Sequence, residues 1–244
     1  MKRAPQLPGV DFSIYASAAA LLVRNPTIIV VPLLMAVVGV LINRVIVAGA
    51  GAGGLGGLTA SVALLFEFLL LLFGLGAACI IADDAWRHSR ASFEKGWVEA
   101  RRRAPEILMT AVGVSLLFTV GQIVTQTFGV IGYLLLAVIA FFLIFAVPAS
   151  AIGGIPGAAA IQVSIDRVRA NPLSAALATI VTIALTMYVA PIAAVAIDGW
   201  FAPYDGGTTL VGALALAVLQ SIAIGYSALV ITKSYTDAAF GRRY

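Results

Sequence analysis

The residues with the greatest latent chemistry are two opposite charges set inside apolar runs. Glu67 interrupts the run Thr59–Ala82, and Arg44 stands near the far end of Ile28–Val47. A carboxylate held in hydrocarbon costs roughly 2.5–3.5 kcal/mol unless it is paired or neutralised. At about 1.5 Å per residue, Arg44 lies about 6 Å and Glu67 about 12 Å from the facing ends of the two runs. An extended Arg side chain bridges that difference, so the pattern predicts an intramembrane Arg44–Glu67 ion pair. Three roles suit such a pair. It locks two helices together, it is a proton- or substrate-linked carboxylate, or it is a snorkelling Arg44 beside a protonated Glu67. Gln122, Gln126, Thr182, Thr186, Gln220 and Ser221 add polar groups to other apolar runs. They serve either as interhelical hydrogen-bond partners or as the lining of a solute pathway. Pro191 kinks its run and frees carbonyls for the same purpose.

Other chemical motifs have plainer readings. Gly51-Ala52-Gly53-Gly54-Leu55-Gly56 satisfies G-x-G-x-x-G as a string. The dinucleotide motif needs a preceding strand and a helix opening at the glycines, whereas this stretch follows a membrane-length helix and reads as a flexible turn. Asp83, Asp84 and His88 cluster at the end of the second run, but His88 is the only histidine and no zinc spacing surrounds it. They read as solvated helix-end residues. Cys79, the only cysteine, allows no intrachain disulfide and reads as a small buried hydrophobe. No nucleophile elbow, triad order or Walker sequence occurs. The chain is expected to be no enzyme and to need no cofactor or metal.

The elements that must position these residues follow from composition. The chain has 244 residues, 61% hydrophobic and 11% charged, with a mean hydropathy of +1.06. Soluble domains average about 25% charged residues, so this surface is built for lipid. Six runs reach the roughly 20 residues needed to cross a bilayer: Ile28–Val47, Thr59–Ala82, Ile107–Thr127, Val130–Ile152, Leu173–Ile197 and Leu210–Thr232. None alternates apolar and polar residues as a membrane β-strand does. Of the 15 Lys and Arg residues, 14 fall before the first run, after the sixth, or in the connections after the second and fourth. Arg44 is the exception. The positive-inside rule then places both termini in the cytoplasm of a cell with the protein in its inner (plasma) membrane. The same rule accounts for the net +4 without a nucleic-acid partner. Met1-Lys2-Arg3 and the following apolar stretch imitate a signal peptide, but Arg24-Asn25-Pro26 replaces a cleavage site, so the N-terminus reads as retained.

A unit repeats along this single polytopic domain, over about 12–82, 90–152 and 158–232. Each begins with a short segment ending in a basic residue before a proline: Phe12–Arg24 before Pro26, Arg90–Arg103 before Pro105, and Ala158–Arg169 before Pro172. Proline suits the first helical position, and Asn25 and Asn171 suit N-caps. Helical spacing makes the segments amphipathic. Phe93, Trp97 and Ala100 share one face, with Glu99 and Arg103 paired at i, i+4. Ile161, Ile165 and Val168 oppose Gln162, Asp166 and Arg169, while Ser13, Ser17 and Arg24 form a polar stripe on the first segment. The fold class is therefore all-α: three transmembrane hairpins, each preceded by a cytoplasmic-face amphipathic helix. Arg24, Arg101, Arg102, Arg103, Arg167 and Arg169 are the expected contacts to anionic headgroups.

The stretch from Ala146-Val147-Pro148 to Asp166-Arg167-Val168-Arg169-Ala170-Asn171-Pro172 has a span ending in proline, a small-residue helix containing Ser164, a basic turn and a new span. In this it resembles a group of bacterial six-span membrane proteins of unknown function related to the membrane domain of glycerophosphodiester phosphodiesterases. The resemblance implies a membrane architecture and no settled activity. Two functions follow. The first is a non-enzymatic module that contacts anionic lipid and organises or handles lipid, or serves a membrane-protein partner or a second copy. The other is a small-molecule or ion transporter built on Arg44, Glu67 and the polar residues of the third, fifth and sixth runs.

Overall fold

The computed structural model describes residues 11–50, 56–201 and 209–240, and these form helices joined by short links. In chain order they are α1 (Ser13–Arg24), α2 (Thr27–Ala50), α3 (Gly56–His88), α4 (Phe93–Arg102), α5 (Ala104–Phe128) and α6 (Val130–Leu143). There follow α7 (Ala146–Ala151), α8 (Gly157–Ala170), α9 (Pro172–Ile183), a π-helical turn (Ala184–Val189), α10 (Ala190–Phe201) and α11 (Leu210–Phe240). Among the described residues six helical stretches are long and apolar enough to cross a membrane: Thr27–Ile46, Leu65–His88, Ala104–Thr125, Val130–Ala151, Pro172–Trp200 and Leu210–Ala238.

The second stretch runs past the expected stop at Ala82. Asp83 and Asp84 are one turn before Arg87 and His88, and the pairs meet at 2.8 and 2.9 Å. These i, i+4 contacts carry the helix into its polar last turn. Two expected continuous runs are interrupted. The fourth breaks at Ile144-Phe145, between α6 and α7, because Pro148 has no N–H to return to the carbonyl four residues earlier. The fifth widens into the π turn immediately before Pro191, the position expected to kink.

The last helix is the centre of the bundle. In an 18-residue window of its membrane-length stretch 56% of the residues are buried, against 11% in such a window of Pro172–Trp200. It packs on α1, α2, α3, α9 and α10. The main core joins Ala18 and Leu21 of α1, Ile28 and Val31 of α2, and Ala77–Ala85 of α3 to Ala228, Leu229 and Val230 of α11. Small residues on α3 let the backbones approach, as membrane helices require when lipid gives no hydrophobic drive between them.

Long-range hydrogen bonds place the short helices at one end of the bundle, here called the junction end. Asn25 links the α1–α2 junction to the α3–α4 link. Its Nδ2 donates to the carbonyls of Leu21 and Ser89 at 3.0 and 3.3 Å, and its Oδ1 accepts from the Ala91 amide at 2.8 Å. Asn25 therefore does not cap α2 as the sequence suggests, and Asn171 makes no side-chain cap on α9. Trp86 Nε1 donates to the Leu229 carbonyl at 3.0 Å, with Lys233 Nζ 5.7 Å from its ring centre. The opposite end holds the tight α5–α6 turn, where Gly129 has φ +53°, and the approach of α10 to α11.

Candidate functional site

The basic segments divide into arginines that fasten the bundle and arginines that face outward. Phe93, Trp97 and Ala100 pack α4 onto the core, the face that their spacing indicates. At Gly96 a Cβ would come within 2.5 Å of Ile81 Cγ1, so α4 sits close on α3. Arg103, at the end of α4, donates from Nε to Glu99 Oε1 at 2.6 Å and from Nη1 to the Ile152 carbonyl at 2.7 Å. The expected Glu99–Arg103 pair thus forms, and the second bond ties α4 to the end of α7. Arg102 joins the same carboxylate at 2.7 Å. The Arg103 hydrogen bond holds the Glu99 carboxyl below the usual range, with Arg102 adding to the effect. Arg167 donates to the Ala238 carbonyl at 2.8 Å, fastening α8 to the end of α11.

Of the six arginines expected at headgroups, Arg103 and Arg167 are half-buried and carry these bonds. Arg24, Arg101, Arg102 and Arg169 are exposed. Exposed apolar side chains adjoin them: Val23 at 82%, Val98 at 60% and Leu173 at 55%. The terminal cations Lys2, Arg3, Arg242 and Arg243 lie outside the described residues, as do Gly51–Leu55 of the glycine-rich string.

Helix α8 is the least expected part of the site. Ala160, Ser164 and Val168 form its buried stripe. Ser164 Oγ accepts from the Phe145 amide at 3.0 Å and donates to the Phe142 carbonyl at 2.7 Å. One hydroxyl thereby satisfies a donor and an acceptor at the α6–α7 break, where apolar surroundings leave few other partners. Thr110 Oγ1 accepts from the Gly157 amide at the start of α8, at 2.9 Å. The sequence singles out Ser164 only as part of a small-residue helix; the proline sixteen residues earlier is the signal that a repair is needed.

Beside that stripe, Ile161, Ile165 and Arg169 border a lateral cleft of about 260 Å³ with Leu117 of α5 and Val138, Ile139, Phe142 and Leu143 of α6. Arg169 therefore lies on the isoleucine side, not opposite it as the spacing suggests. Residues 161, 165 and 169 advance by one helical turn plus a small angle each, and the stripe drifts into the cleft. Arg169 makes no hydrogen bond or ion pair among the described residues.

The intramembrane polar residues are distributed differently. Glu67 is half-buried on α3, and Asn43 Nδ2 donates to its Oε2 at 3.3 Å. Gly39 lies one turn before Asn43, against Glu67 Cγ. Gly39 and Asn43 thus form the stripe of α2 that faces α3. Arg44, turned about 100° from that stripe, is exposed. Asn43 is a partner of Glu67 that the charge count overlooks. Thr186 is half-buried in the π turn and donates to the Thr182 carbonyl at 2.7 Å. Gln122 is exposed on α5 and Gln220 half-buried on α11. Helix α5 packs on α3, α6, α7 and α8, whereas the π turn packs on α9, α10 and α11. Gln122 and Thr186 thus stand on elements with different packing neighbours.

Asp83 and Asp84 are occupied by Arg87, His88 and the Ser92 amide, the last at 3.1 Å. Asp198, unremarked in the sequence, takes the Thr209 amide and hydroxyl at the start of α11, and Thr209 Oγ1 in turn accepts from the Gly212 amide at 3.1 Å. Among known proteins, no family model, no curated protein and no solved structure matches this chain.

Proposed function

We propose that this chain is a non-enzymatic multi-pass protein of a bacterial inner membrane that holds anionic lipid at its cytoplasmic face. The observation that carries this reading is the pairing of exposed Arg24, Arg101, Arg102 and Arg169 with exposed Val23, Val98 and Leu173. Each surface guanidinium near an anionic leaflet contributes about 1 kcal/mol of attraction, and adjoining apolar side chains anchor it at headgroup depth. The excess of Lys and Arg outside the spans supports cytoplasmic termini. The three-unit organisation draws support from the α1–α2 and α8–α9 junctions. Asn25 at φ −129°, ψ 66° and Asn171 at φ −140°, ψ 66° share a backbone turn before the next proline. On this reading α1, α4 and α8 are the interfacial helices of three hairpins.

The test is co-purified lipid. Parent and Arg101→Gln/Arg102→Gln protein, extracted from the same membranes, are compared for anionic over zwitterionic phospholipid by mass spectrometry. The expected result is a clear fall in the anionic share for the variant; an unchanged share overturns the reading. Arg103 is left intact because its bonds hold the fold. Topology is checked with impermeant maleimide on intact cells, since Cys79 is fully buried and gives little background. Trp200→Cys labels and Lys95→Cys does not.

A further inference from the structure

We infer that the cleft between α5, α6 and α8 is a binding site for one acyl chain of an anionic glycerophospholipid, with Arg169 on its phosphate. The inference rests on the lipid reading above and gives it one defined site. Depth is the first argument. Arg169 lies three residues before Pro172, where a membrane-length stretch begins, which puts its guanidinium at headgroup level. Leu117 lies 13 residues beyond Ala104, where its membrane-length stretch begins. Along α5 that is about 20 Å from the junction end. Half of a bilayer's hydrocarbon is ~15 Å thick, so the cleft extends from the headgroups of one leaflet to its chain ends.

Size and lining supply the second argument. At about 260 Å³ the cleft is smaller than the roughly 300–1,000 Å³ that encloses a whole small ligand. It accommodates a chain segment while the polar part stays outside. Phe142, Ile161 and Ile165 offer such a chain no hydrogen-bond partner, so a polar solute has nothing to replace its water. Charge decides the headgroup. A chain moving from bulk lipid into a protein groove gains only packing, because lipid tails are as apolar as the groove. Preference among phospholipids must then come from Arg169, which has no competing partner among the described residues.

The site is tested in nanodiscs of mixed phosphatidylglycerol and phosphatidylcholine, using either lipid with a photoreactive diazirine on its acyl chain and mapping the labelled peptides. The parent is expected to label at Leu117, Phe142 and Ile165, with phosphatidylglycerol favoured about fivefold, the equivalent of ~1 kcal/mol for one surface cation. Arg169→Gln brings that ratio to near one. Ile165→Trp fills the cleft and lowers its labelling by both lipids. Equal labelling of the parent by the two lipids, or an unchanged ratio in Arg169→Gln, overturns the headgroup assignment. Absence of cleft labelling overturns the site. If anionic lipid still co-purifies through Arg101 and Arg102 in that case, the general reading survives without this one; if it does not, both fall. Arg169 is exposed and bonded to nothing described, so Arg169→Gln decides the matter even if Ile165→Trp fails to fold.

Discussion

The two ends of this bundle are held by different forces. At the junction end, chain breaks between α1 and α2, α4 and α5, α6 and α7, and α7 and α8 leave backbone groups without helical partners, and side chains satisfy them. Asn25, Arg103, Thr110, Ser164 and Arg167 each bond a main-chain group at a link or near a helix end, and Trp86 adds a bond to the Leu229 carbonyl within α11. At the opposite end, among the described residues, Asp198 holds the start of α11 through Thr209, but α5 and α6 meet by close approach without a side-chain tie between them. A Cβ on Gly132 would overlap the Thr125 backbone, and one on Gly121 would overlap Leu136. The contrast follows from the solvent: apolar surroundings penalise an orphan backbone group by several kcal/mol but give two apolar helices no reason to separate. Side-chain hydrogen bonds therefore collect wherever helices stop.

The largest effect should come from Arg103→Met. It removes two charge-assisted bonds and strands the Ile152 carbonyl, so unfolding in bicelles should become easier by about 3 kcal/mol. A loss under 1 kcal/mol would show that the junction end is not held by this tie. Ser164→Ala leaves the Phe145 amide and the Phe142 carbonyl unsatisfied together, and about 2 kcal/mol is expected in the same measurement. Ser164→Cys keeps a weak donor and should fall between parent and alanine.

The α5–α6 contact should answer to volume more than to polarity. Gly132→Ala forces α5 and α6 apart where they touch backbone to backbone, at roughly 1–2 kcal/mol. Asn43→Leu, which removes the hydrogen bond to Glu67, should change stability by only ~0.6 kcal/mol, the average for such bonds between membrane helices. A larger loss for Asn43→Leu than for Gly132→Ala would reverse the comparison.

This division also explains what the sequence makes legible. The membrane-length stretches are read from one-dimensional hydropathy, and their number and approximate limits match the structure because every lipid-facing residue contributes to the signal. The Glu99–Arg103 pair and the core face of α4 are legible too, since i, i+4 neighbours need only a helix. Ser164, Asn25 and Arg103 escape the same reading as ties. Their backbone partners lie 22, 66 and 49 positions away, and no local pattern encodes that distance. Asn43 escapes for a subtler reason. A neutral amide has no charge to mark it, and only the packed helices fix that Asn43 reaches Glu67. Arg169 is displaced for the same reason, its drift into the cleft set by the rotation of α8 on α5 and α6.

The smallest effect concerns acid, and it isolates Glu99, a titrating group that bonds to the Arg103 tie. Glu99 is held below its ordinary carboxylate range first by the Arg103 hydrogen bond and then by Arg102. A depressed folded pKa means that the unfolded chain binds the proton more readily. Glu99 therefore stabilises the fold fully above the unfolded value of about 4.3, and that contribution is lost as pH falls through the lower folded value. Its side chain is 29% exposed, and the Arg103 bond to Ile152 survives protonation, so the effect is modest. Measured as melting temperature, Glu99→Gln should lie below the parent at neutral pH and converge on it as pH is lowered through the carboxylate range. Other carboxylates titrate in both proteins and cancel in the difference. In an Arg103→Met background only the weaker Arg102 contact remains, and the convergence should shrink accordingly. A gap between the parent and Glu99→Gln that stays constant with pH would mean that Glu99 acts through shape alone, and that the junction end is fastened by the Arg103–Ile152 bond without help from charge.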